Sequence, residues 1–248
     1  MVWAARSLLL VILEFNVNLS IIIPCFNEAE NIPSLLESCS SHFQLKAIEL
    51  ILVNNGSTDE TEVLLERIAK NYAFLKVVNL DLNAGYGGGI LKGLEVASND
   101  FIGWTHADLQ TDPKDVVTAF EILELNNFAN NIFIKGRRYG RPLADRFFTF
   151  FMSIFETILL AKPLIDINAQ PTVFHKKFFR SWVNAPTDFS LDLFSYYQAK
   201  NYNSNVIRFP VLFGPRMYGL SKWNLSARDK YKFIKRTLEY SLKLRRDL

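Results

Sequence analysis

In residues 19–28, LSIIIPCFNE, an apolar and isoleucine-rich run stops at a proline and opens into polar residues. A continuous apolar run of this length is typical of a strand that is buried on both faces of a parallel sheet. We therefore predict a first strand over residues 19–23, followed by a polar loop and a helix over residues 28–41.

The same alternation continues through the first half of the chain. Capping signals at Ser57-Thr58-Asp59-Glu60 and Asp112-Pro113 predict the starts of two helices. Strands joined by helices form right-handed crossovers, so the predicted fold class is α/β, with a mostly parallel central sheet flanked by helices. The further strands are predicted over 48–53, 75–80, 101–105 and 132–135, and the helices between them over 57–71, 90–97 and from 112 onward.

Helices dominate the second half. A phenylalanine-rich helix is predicted over 143–162 and ended by Pro163, and it is followed by a helix over 189–200, a strand over 206–209 and a basic amphipathic helix over 227–244. This last helix would carry one apolar stripe, formed by Tyr231, Ile234, Leu238 and Leu242. We divide the chain into a lead-in (1–18), one domain that includes the 143–162 helix (19–225) and a basic C-terminal helix (226–248).

Charge and aromatic content indicate which kinds of binding partner the protein has. The formal net charge is only +3, and it does not indicate a nucleic-acid partner. Residues 216–248, however, hold ten Lys or Arg against three acids, and the whole chain holds 21 phenylalanines. Basic segments and exposed aromatic residues favour an anionic membrane surface. The apolar run at 8–13 is too short to span a bilayer, and two cysteines suit a reducing compartment, so we expect a cytoplasmic protein peripheral on the inner face of a membrane.

Each predicted strand runs straight into a polar loop. In parallel sheets the carboxyl ends of the strands meet at one edge, where ligands bind. The loop after the fourth strand presents Asp108 and Gln110, two oxygen ligands of the kind that Mg²⁺ or Mn²⁺ prefers when diphosphate oxygens complete the shell. The alternative is that Asp108 is a turn residue and Gln110 a surface amide.

Four loop motifs, in order, resemble glycosyltransferase family 2, and most closely its polyprenol-phosphate sugar transferases. A fifth motif, RMYGLSK at 216–222, matches the R-x-x-G-x-S-K pattern of the same subfamily. The resemblance covers about residues 19–225 and implies the GT-A fold of nucleotide-diphospho-sugar transferases. The four loop motifs are IIPCFNE (22–28), VNNGSTD (53–59), NAGYG (83–87) and HADLQTDP (106–113).

This resemblance assigns roles to individual residues. Asp108 and Gln110 would hold the metal, Arg216 and Lys222 would neutralise the leaving diphosphate, and Asp192 would lie near the sugar, with an ordinary helix carboxylate as its alternative. Arg137 and Arg146 would hold the phosphate of a polyprenyl acceptor, unless they belong to a solvated basic loop. The donor, a UDP- or GDP-sugar, would be contacted by Pro24, Asn27, Glu28, Asn55, Asn83, Gly85, Ala107 and Ser221.

The sequence also departs from the family pattern. Asn54 and Asn55 replace common acids, and His106 replaces the first aspartate of the metal motif, so we expect weaker metal binding and an altered donor preference. The glycines at 85 and 87–89 do not fit a dinucleotide motif, because position 90 is Ile90; a tight turn with close helix packing explains them better.

The expected activity is inverting transfer of a sugar from a nucleotide-sugar to a polyprenyl phosphate at the membrane surface. The 143–162 helix would then lie at the lipid interface, and its alternative is a core helix. Two other functions stay open. One is extension of a saccharide through a hydroxyl acceptor, with Asp192 as the base. The other is a non-catalytic, nucleotide-sugar-binding partner of a membrane complex.

Overall fold

A computed structural model of the protein describes residues 18–46, 48–216 and 227–246. Its centre is a seven-stranded sheet with the order β3-β2-β1-β4-β6-β5-β7, in which β6 runs antiparallel to its neighbours and the other pairs are parallel. The strands are β1 (Leu19–Cys25), β2 (Ile48–Asn55), β3 (Leu75–Leu80), β4 (Phe101–Trp104), β5 (Ile132–Tyr139), β6 (Thr172–His175) and β7 (Asn205–Leu212). The predicted α/β architecture is confirmed.

Helices cover both faces of the sheet, which gives two hydrophobic clusters. One cluster unites α1, α2 and α4 with the sheet, and the other unites α3, α5, α7 and α8 with it. The helices are α1 (Ile32–Phe43), α2 (Thr61–Ala69), α3 (Gly85–Val96), α4 (Lys114–Leu125), α5 (Leu143–Leu160), α6 (Lys176–Arg180), α7 (Leu191–Asn201) and α8 (Ala227–Arg246).

Strand β1 is buried on both faces, as its sequence predicts. Ile22 packs into one cluster, while Ile21 and Ile23 pack into the other. The strand continues two residues beyond the prediction, to Cys25. Pro24 lies past the last register position that β1 shares with β4, so the strand runs through the proline while paired with β2 alone.

Strand β6 was not predicted, because four residues give too little pattern to distinguish a strand from a loop. It lies between β4 and β5 and makes the sheet continuous. Strands β5 and β7 are both longer than predicted. They pair in register from Ile132 and Asn205 to Tyr139 and Leu212, so each extends the other beyond its apolar run.

The predicted capping box at Ser57 is wrong. Helix α2 begins at Thr61 with Glu60 as N-cap and without a side-chain cap, and the Ser57 hydroxyl instead accepts a hydrogen bond from the Asn27 amide (3.0 Å). The N-cap of α4 also lies one position later than the predicted Asp112. Pro113 is the N-cap of α4, although the Asp112 carboxylate does accept from the Lys114 amide (2.9 Å).

Helix α5 buries two polar side chains and exposes a stripe of apolar ones. Ser153 and Glu156 are fully or almost fully buried, whereas one stripe of large apolar side chains, spaced at helical intervals, is between 41% and 76% exposed. A core helix is therefore the wrong alternative for this face. The helix ends at Leu160, before Pro163, because Ala161 turns into the left-handed conformation (φ 52°). The exposed stripe consists of Leu143, Phe147, Phe150, Phe151, Ile154 and Ile158.

Helix α8 packs on α5 through residues near its own C-terminal end. Ser241 and Leu244 are buried, and the Ser241 hydroxyl donates to the Glu156 carboxylate (2.6 Å). Tyr231 and Leu242, two of the four residues on the predicted apolar stripe, are 65% and 51% exposed. Across the described part of the chain, neither this helix nor any other has both the length and the apolarity required to cross a membrane.

Candidate active site at the carboxyl edge of the sheet

The loops after β1 and β2 interlock. Asn27 adopts a left-handed conformation (φ 58°), and its side-chain oxygen accepts from the Thr58 amide at 2.8 Å. The Glu28 amide donates to the Thr61 hydroxyl at 3.0 Å. The two loops predicted to contact the donor therefore form one continuous surface at the edge of the sheet. In this surface the Asn27 side chain and the Glu28 amide form hydrogen bonds with the loop after β2.

Asn55 holds the loop that follows β3. Its side-chain oxygen accepts from the Ala84 amide, and its side-chain nitrogen donates to the Gly85 carbonyl, both at 2.9 Å. Asn55 is almost completely buried. A carboxylate could not make the second of these bonds, because an ionised carboxylate only accepts. The amide that replaces the family's acid thus has a structural use at this position.

The glycine-rich start of α3 makes backbone-to-backbone contact with residues 186–188. The Gly88 amide donates to the Thr187 carbonyl (2.8 Å), and a Cβ placed on Gly87 would lie 2.6 Å from the Pro186 carbonyl oxygen. Asn83 closes the turn by accepting from the Gly85 amide (2.8 Å). The prediction of a tight turn with close packing is confirmed, and helix α3 begins at Gly85, earlier than the predicted start at residue 90.

The loop after β4 brings Asp108, Gln110 and Arg216 together. Arg216 Nη2 lies 2.8 Å from Asp108 Oδ2, while Asp108 Oδ1 accepts from the Gln110 amide (3.2 Å). Gln110 in turn donates from its side chain to the Gly214 carbonyl (3.1 Å), which places the chain leading to Arg216 beside this loop. Ser221 and Lys222 lie outside the described residues.

This edge offers few anionic metal ligands. In the regions that the structure describes, no three His, Cys, Asp or Glu side chains gather closely enough to hold a metal ion. Asp108, next to the buried Ala107, supplies one carboxylate, and Gln110 one amide oxygen. Such a pair fits an ion whose other ligands are diphosphate and water oxygens, which is how proteins commonly bind Mg²⁺.

His106 belongs to an aromatic stack. Its ring lies 5.6 Å from that of Tyr86, which stacks in parallel on Phe189 at 4.4 Å. Burial lowers the pKa of His106, which favours the neutral imidazole. The residue that replaces the first acid of the metal motif therefore joins the protein's packing around Tyr86.

Asp192 lies at the centre of a buried polar network. Its carboxylate accepts from Gln170 (2.6 Å), from the Tyr86 hydroxyl (3.2 Å) and from the Trp104 indole (3.3 Å). The Lys135 ammonium lies 3.5 Å away, and both side chains are almost fully buried. Burial lowers the pKa of Lys135 to about 8, against the opposing effect of Asp192. Lys135 was not predicted as a site residue, although a lysine at the end of the apolar run IFIK was a visible signal.

The predicted arginines lie at the surface, and two others form the organised cluster. Arg137 and Arg146 are exposed, and neither forms an ion pair within the described parts of the chain. Arg138 and Arg141 instead flank Asp166, with Arg138 Nε at 2.9 Å, and both guanidinium groups lie over the Phe213 ring. Burial opposes ionisation of Asp166, but Arg138 holds its pKa below the usual range.

The sheet order and the polar edge define the class: this is the GT-A fold of nucleotide-diphospho-sugar transferases. Glucosyl-3-phosphoglycerate synthase from Mycobacterium tuberculosis superimposes with a TM-score of 0.68 over 93% of this chain and 78% of its own, at 18% identity. The family model for glycosyl transferase family 2 matches residues 20–192, and the chain belongs to that family.

Two curated relatives match part of the chain. Undecaprenyl-phosphate 4-deoxy-4-formamido-L-arabinose transferase of Proteus mirabilis is 39% identical over 101 residues, which is 39% of this chain and 31% of the relative. Dodecaprenyl-phosphate galacturonate synthase of Rhizobium johnstonii is 32% identical over 112 residues, 44% of this chain and 33% of the relative. The match thus spans about a third of the length of these relatives.

Proposed function

We propose that this protein is an inverting glycosyltransferase that moves a sugar from a UDP- or GDP-sugar to a polyprenyl phosphate. The observation that carries the proposal is the pairing of Asp108 with Arg216 at the edge where the four polar loops converge. The names of both curated relatives contain a prenyl phosphate. Glucosyl-3-phosphoglycerate synthase, which shares the fold, was solved with Mn²⁺ and UDP-glucose.

On the donor side, Asp108 and Gln110 would hold Mg²⁺ or Mn²⁺, and the bound ion would supply positive charge to the diphosphate. Arg216 would leave Asp108 and neutralise the departing nucleotide, a task that Lys222 and Ser221 would share. Positive groups aimed at developing charge lower the barrier because they stabilise the transition state more than the substrate. Pro24, Asn27, Glu28 and Ala107 would line the donor, and Asn55 would position Asn83 and Gly85.

On the acceptor side, the surroundings of Asp192 favour a phosphate over a hydroxyl. A hydroxyl acceptor needs a general base within hydrogen-bond reach. Asp192, the candidate for that task, already accepts three hydrogen bonds in a buried network. A phosphate oxygen is anionic and needs no strong base, so Asp192 would act as a positioning residue that fixes Tyr86.

The membrane is the proposed working surface. Among the described residues, no element covers the exposed stripe of α5. Arg146 lies on the same helix, three positions after Leu143, the first residue of the stripe. An apolar face flanked by basic residues fits a helix lying in a lipid interface. Arg137 and Arg146 would then meet the lipid-linked phosphate at the inner, cytoplasmic surface.

The test is transfer of label to lipid. Purified protein, Mn²⁺, labelled UDP- and GDP-sugars and a short polyprenyl phosphate should give one labelled lipid. Asp108→Asn should abolish the product without changing the melting temperature. Asp112→Asn is the matched control, because Asn can still accept from the Lys114 amide.

The alternatives predict other results in this experiment. Label on a saccharide and none on lipid phosphate would replace the proposed acceptor with a hydroxyl. Donor binding without turnover on any acceptor would support a non-catalytic nucleotide-sugar-binding partner. Full activity in Asp108→Asn would refute the metal assignment.

A further inference from the structure

The segment 186–189 lies between the donor-site turn and the basic terminal helix. On one side its backbone contacts the glycine-rich start of α3, where the Gly88 amide donates to the Thr187 carbonyl (2.8 Å). No side chain separates the two backbones at Gly85 or Gly87, since a Cβ at either would collide with carbonyl oxygens of the segment. A displacement of the segment would therefore be transmitted directly to the turn.

On its other side the segment contacts Arg236 of α8. Arg236 forms an ion pair with Asp188 (Nε to Oδ2, 3.3 Å), and its guanidinium lies 5.5 Å from the centre of the Phe189 ring. A planar guanidinium can make an ion pair and lie over an aromatic face together, which an ammonium does less well. Arg236 thus contacts two consecutive residues of the segment.

From Phe189 the contacts continue into the candidate active site. Phe189 stacks on Tyr86 at 4.4 Å with an interplanar angle of 8°, and Tyr86 stacks on His106. Tyr86 follows Gly85, whose carbonyl accepts from Asn55, and His106 precedes the Asp108 loop. One guanidinium and three rings therefore connect α8 to both the donor turn and the metal loop.

We propose that Arg236 is a positioning residue for the donor site: it holds the 186–189 segment against the glycine-rich turn. This inference rests on the proposed function for its link to donor binding. Because α8 is rich in Lys and Arg and packs on α5, which carries the exposed apolar stripe, seating of α8 at an anionic surface would favour the geometry that binds donor.

A role in stability alone is the competing explanation. Exposed ion pairs contribute little to folding, and Arg236 and Asp188 are both partly exposed. Replacing a residue that only stabilises the fold would lower the melting temperature without weakening donor binding more than acceptor binding. A positioning residue should instead weaken donor binding selectively.

The experiment compares Arg236→Ala, Arg236→Lys and the control Lys232→Ala in the full chain. Lys232 is exposed on the same helix and forms no ion pair with any described residue. Arg236→Ala should raise the Kd for UDP or GDP, whichever the wild type binds, and the donor KM by about five-fold or more, a typical size for coupling between sites. The acceptor KM and the melting temperature of Arg236→Ala should stay close to those of the wild type. For Arg236→Lys, the nucleotide Kd and the donor KM should lie between those of the wild type and Arg236→Ala. For Lys232→Ala, both constants should equal those of the wild type.

Hydrogen exchange at the Gly88 amide provides a readout that needs no activity. In nucleotide-free protein, Arg236→Ala should speed exchange of this amide, because its acceptor is the Thr187 carbonyl, while Lys232→Ala should not. Unchanged exchange and unchanged donor affinity in Arg236→Ala would overturn the inference. A wild type that binds no nucleotide would refute the proposed function instead, and the exchange result would still decide whether Arg236 positions the turn.

Discussion

Arg216 Nη2 lies 2.8 Å from Asp108 Oδ2, so the candidate metal ligand and the candidate leaving-group cation form an ion pair with each other. A donor diphosphate carries negative charge for Arg216, and a divalent ion carries positive charge for Asp108. Binding of the two together would exchange one internal ion pair for two new ones. This relationship would allow Asp108 and Gln110 to take up a metal ion that arrives with the donor diphosphate.

Replacing Arg216 by alanine should separate metal binding from turnover. We expect kcat to fall about 100-fold, the usual effect of removing a group that stabilises developing negative charge. The Mn²⁺ concentration for half-maximal activity should fall as well, because Asp108 is released from its ion pair. Both are measured by metal titration of the transfer reaction, with Lys92→Ala, an exposed residue of α3, as control. An unchanged kcat would contradict this role.

Asn55→Asp should destabilise the protein even though it restores the acid common in the family. The new carboxylate cannot donate to the Gly85 carbonyl and would face it at close range. The expected loss is about 1–3 kcal/mol, the typical cost of an unsatisfied buried polar group, and urea unfolding would measure it. Asn79→Asp is the matched control, because Asn79 only accepts from Asn54, which a carboxylate can do. Equal stability of the two variants would refute the structural use of the Asn55 amide.

Glu156 should make stability depend on pH. Burial raises the pKa of this carboxyl from 4.5 to about 7, so the folded protein keeps a proton that the unfolded chain releases in that interval. The resulting stabilisation is complete below pH 4.5 and is lost as the pH rises through 7. Glu156→Gln cannot ionise, so it should match wild type at pH 5 and be more stable at pH 8, by at most about 3 kcal/mol.

Thermal unfolding at the two pH values measures this difference. The amide oxygen can still accept from Ser241, so the contact between α5 and α8 is preserved. Glu239→Gln, an exposed change on α8, leaves Glu156 in place and should therefore keep the pH dependence of the wild type. A Glu156→Gln variant that is less stable than wild type at pH 8 would show that the ionised form is favoured in the folded protein.

The apolar stripe of α5 should determine membrane binding. Replacing Phe150 and Phe151 together by serine removes two side chains that are 58% and 65% exposed, so the fold should be unaffected. Burying each phenylalanine in lipid contributes roughly 1.5–3 kcal/mol, so co-sedimentation with phosphatidylglycerol-containing vesicles should weaken about 100-fold or more. Leu125→Ser, at an exposed apolar residue of α4, is the control. Undiminished vesicle binding by the double variant would assign the stripe to another partner.

Local patterns in the sequence determined the class of the protein. The run at 19–23 predicted a buried parallel strand, and the polar residues after each strand predicted the ligand edge, because both are consequences of short-range periodicity and of the geometry of parallel sheets. The order of five motifs indicated the family. Asp108, Gln110 and Arg216, assigned from those motifs, are brought together by the structure.

Only the tertiary structure decided what the polar side chains contact. From the sequence, Asp192 could be an ordinary helix carboxylate or a residue near the sugar, yet its partners come from positions 86, 104, 135 and 170, which no local pattern connects. The exposure of α5 was likewise undetermined, since a helix rich in phenylalanine can have its apolar face buried or exposed. Burial and hydrogen bonding depend on segments that are distant in the chain, and for that reason the sequence specified the chemical groups at this edge while the fold determined their partners.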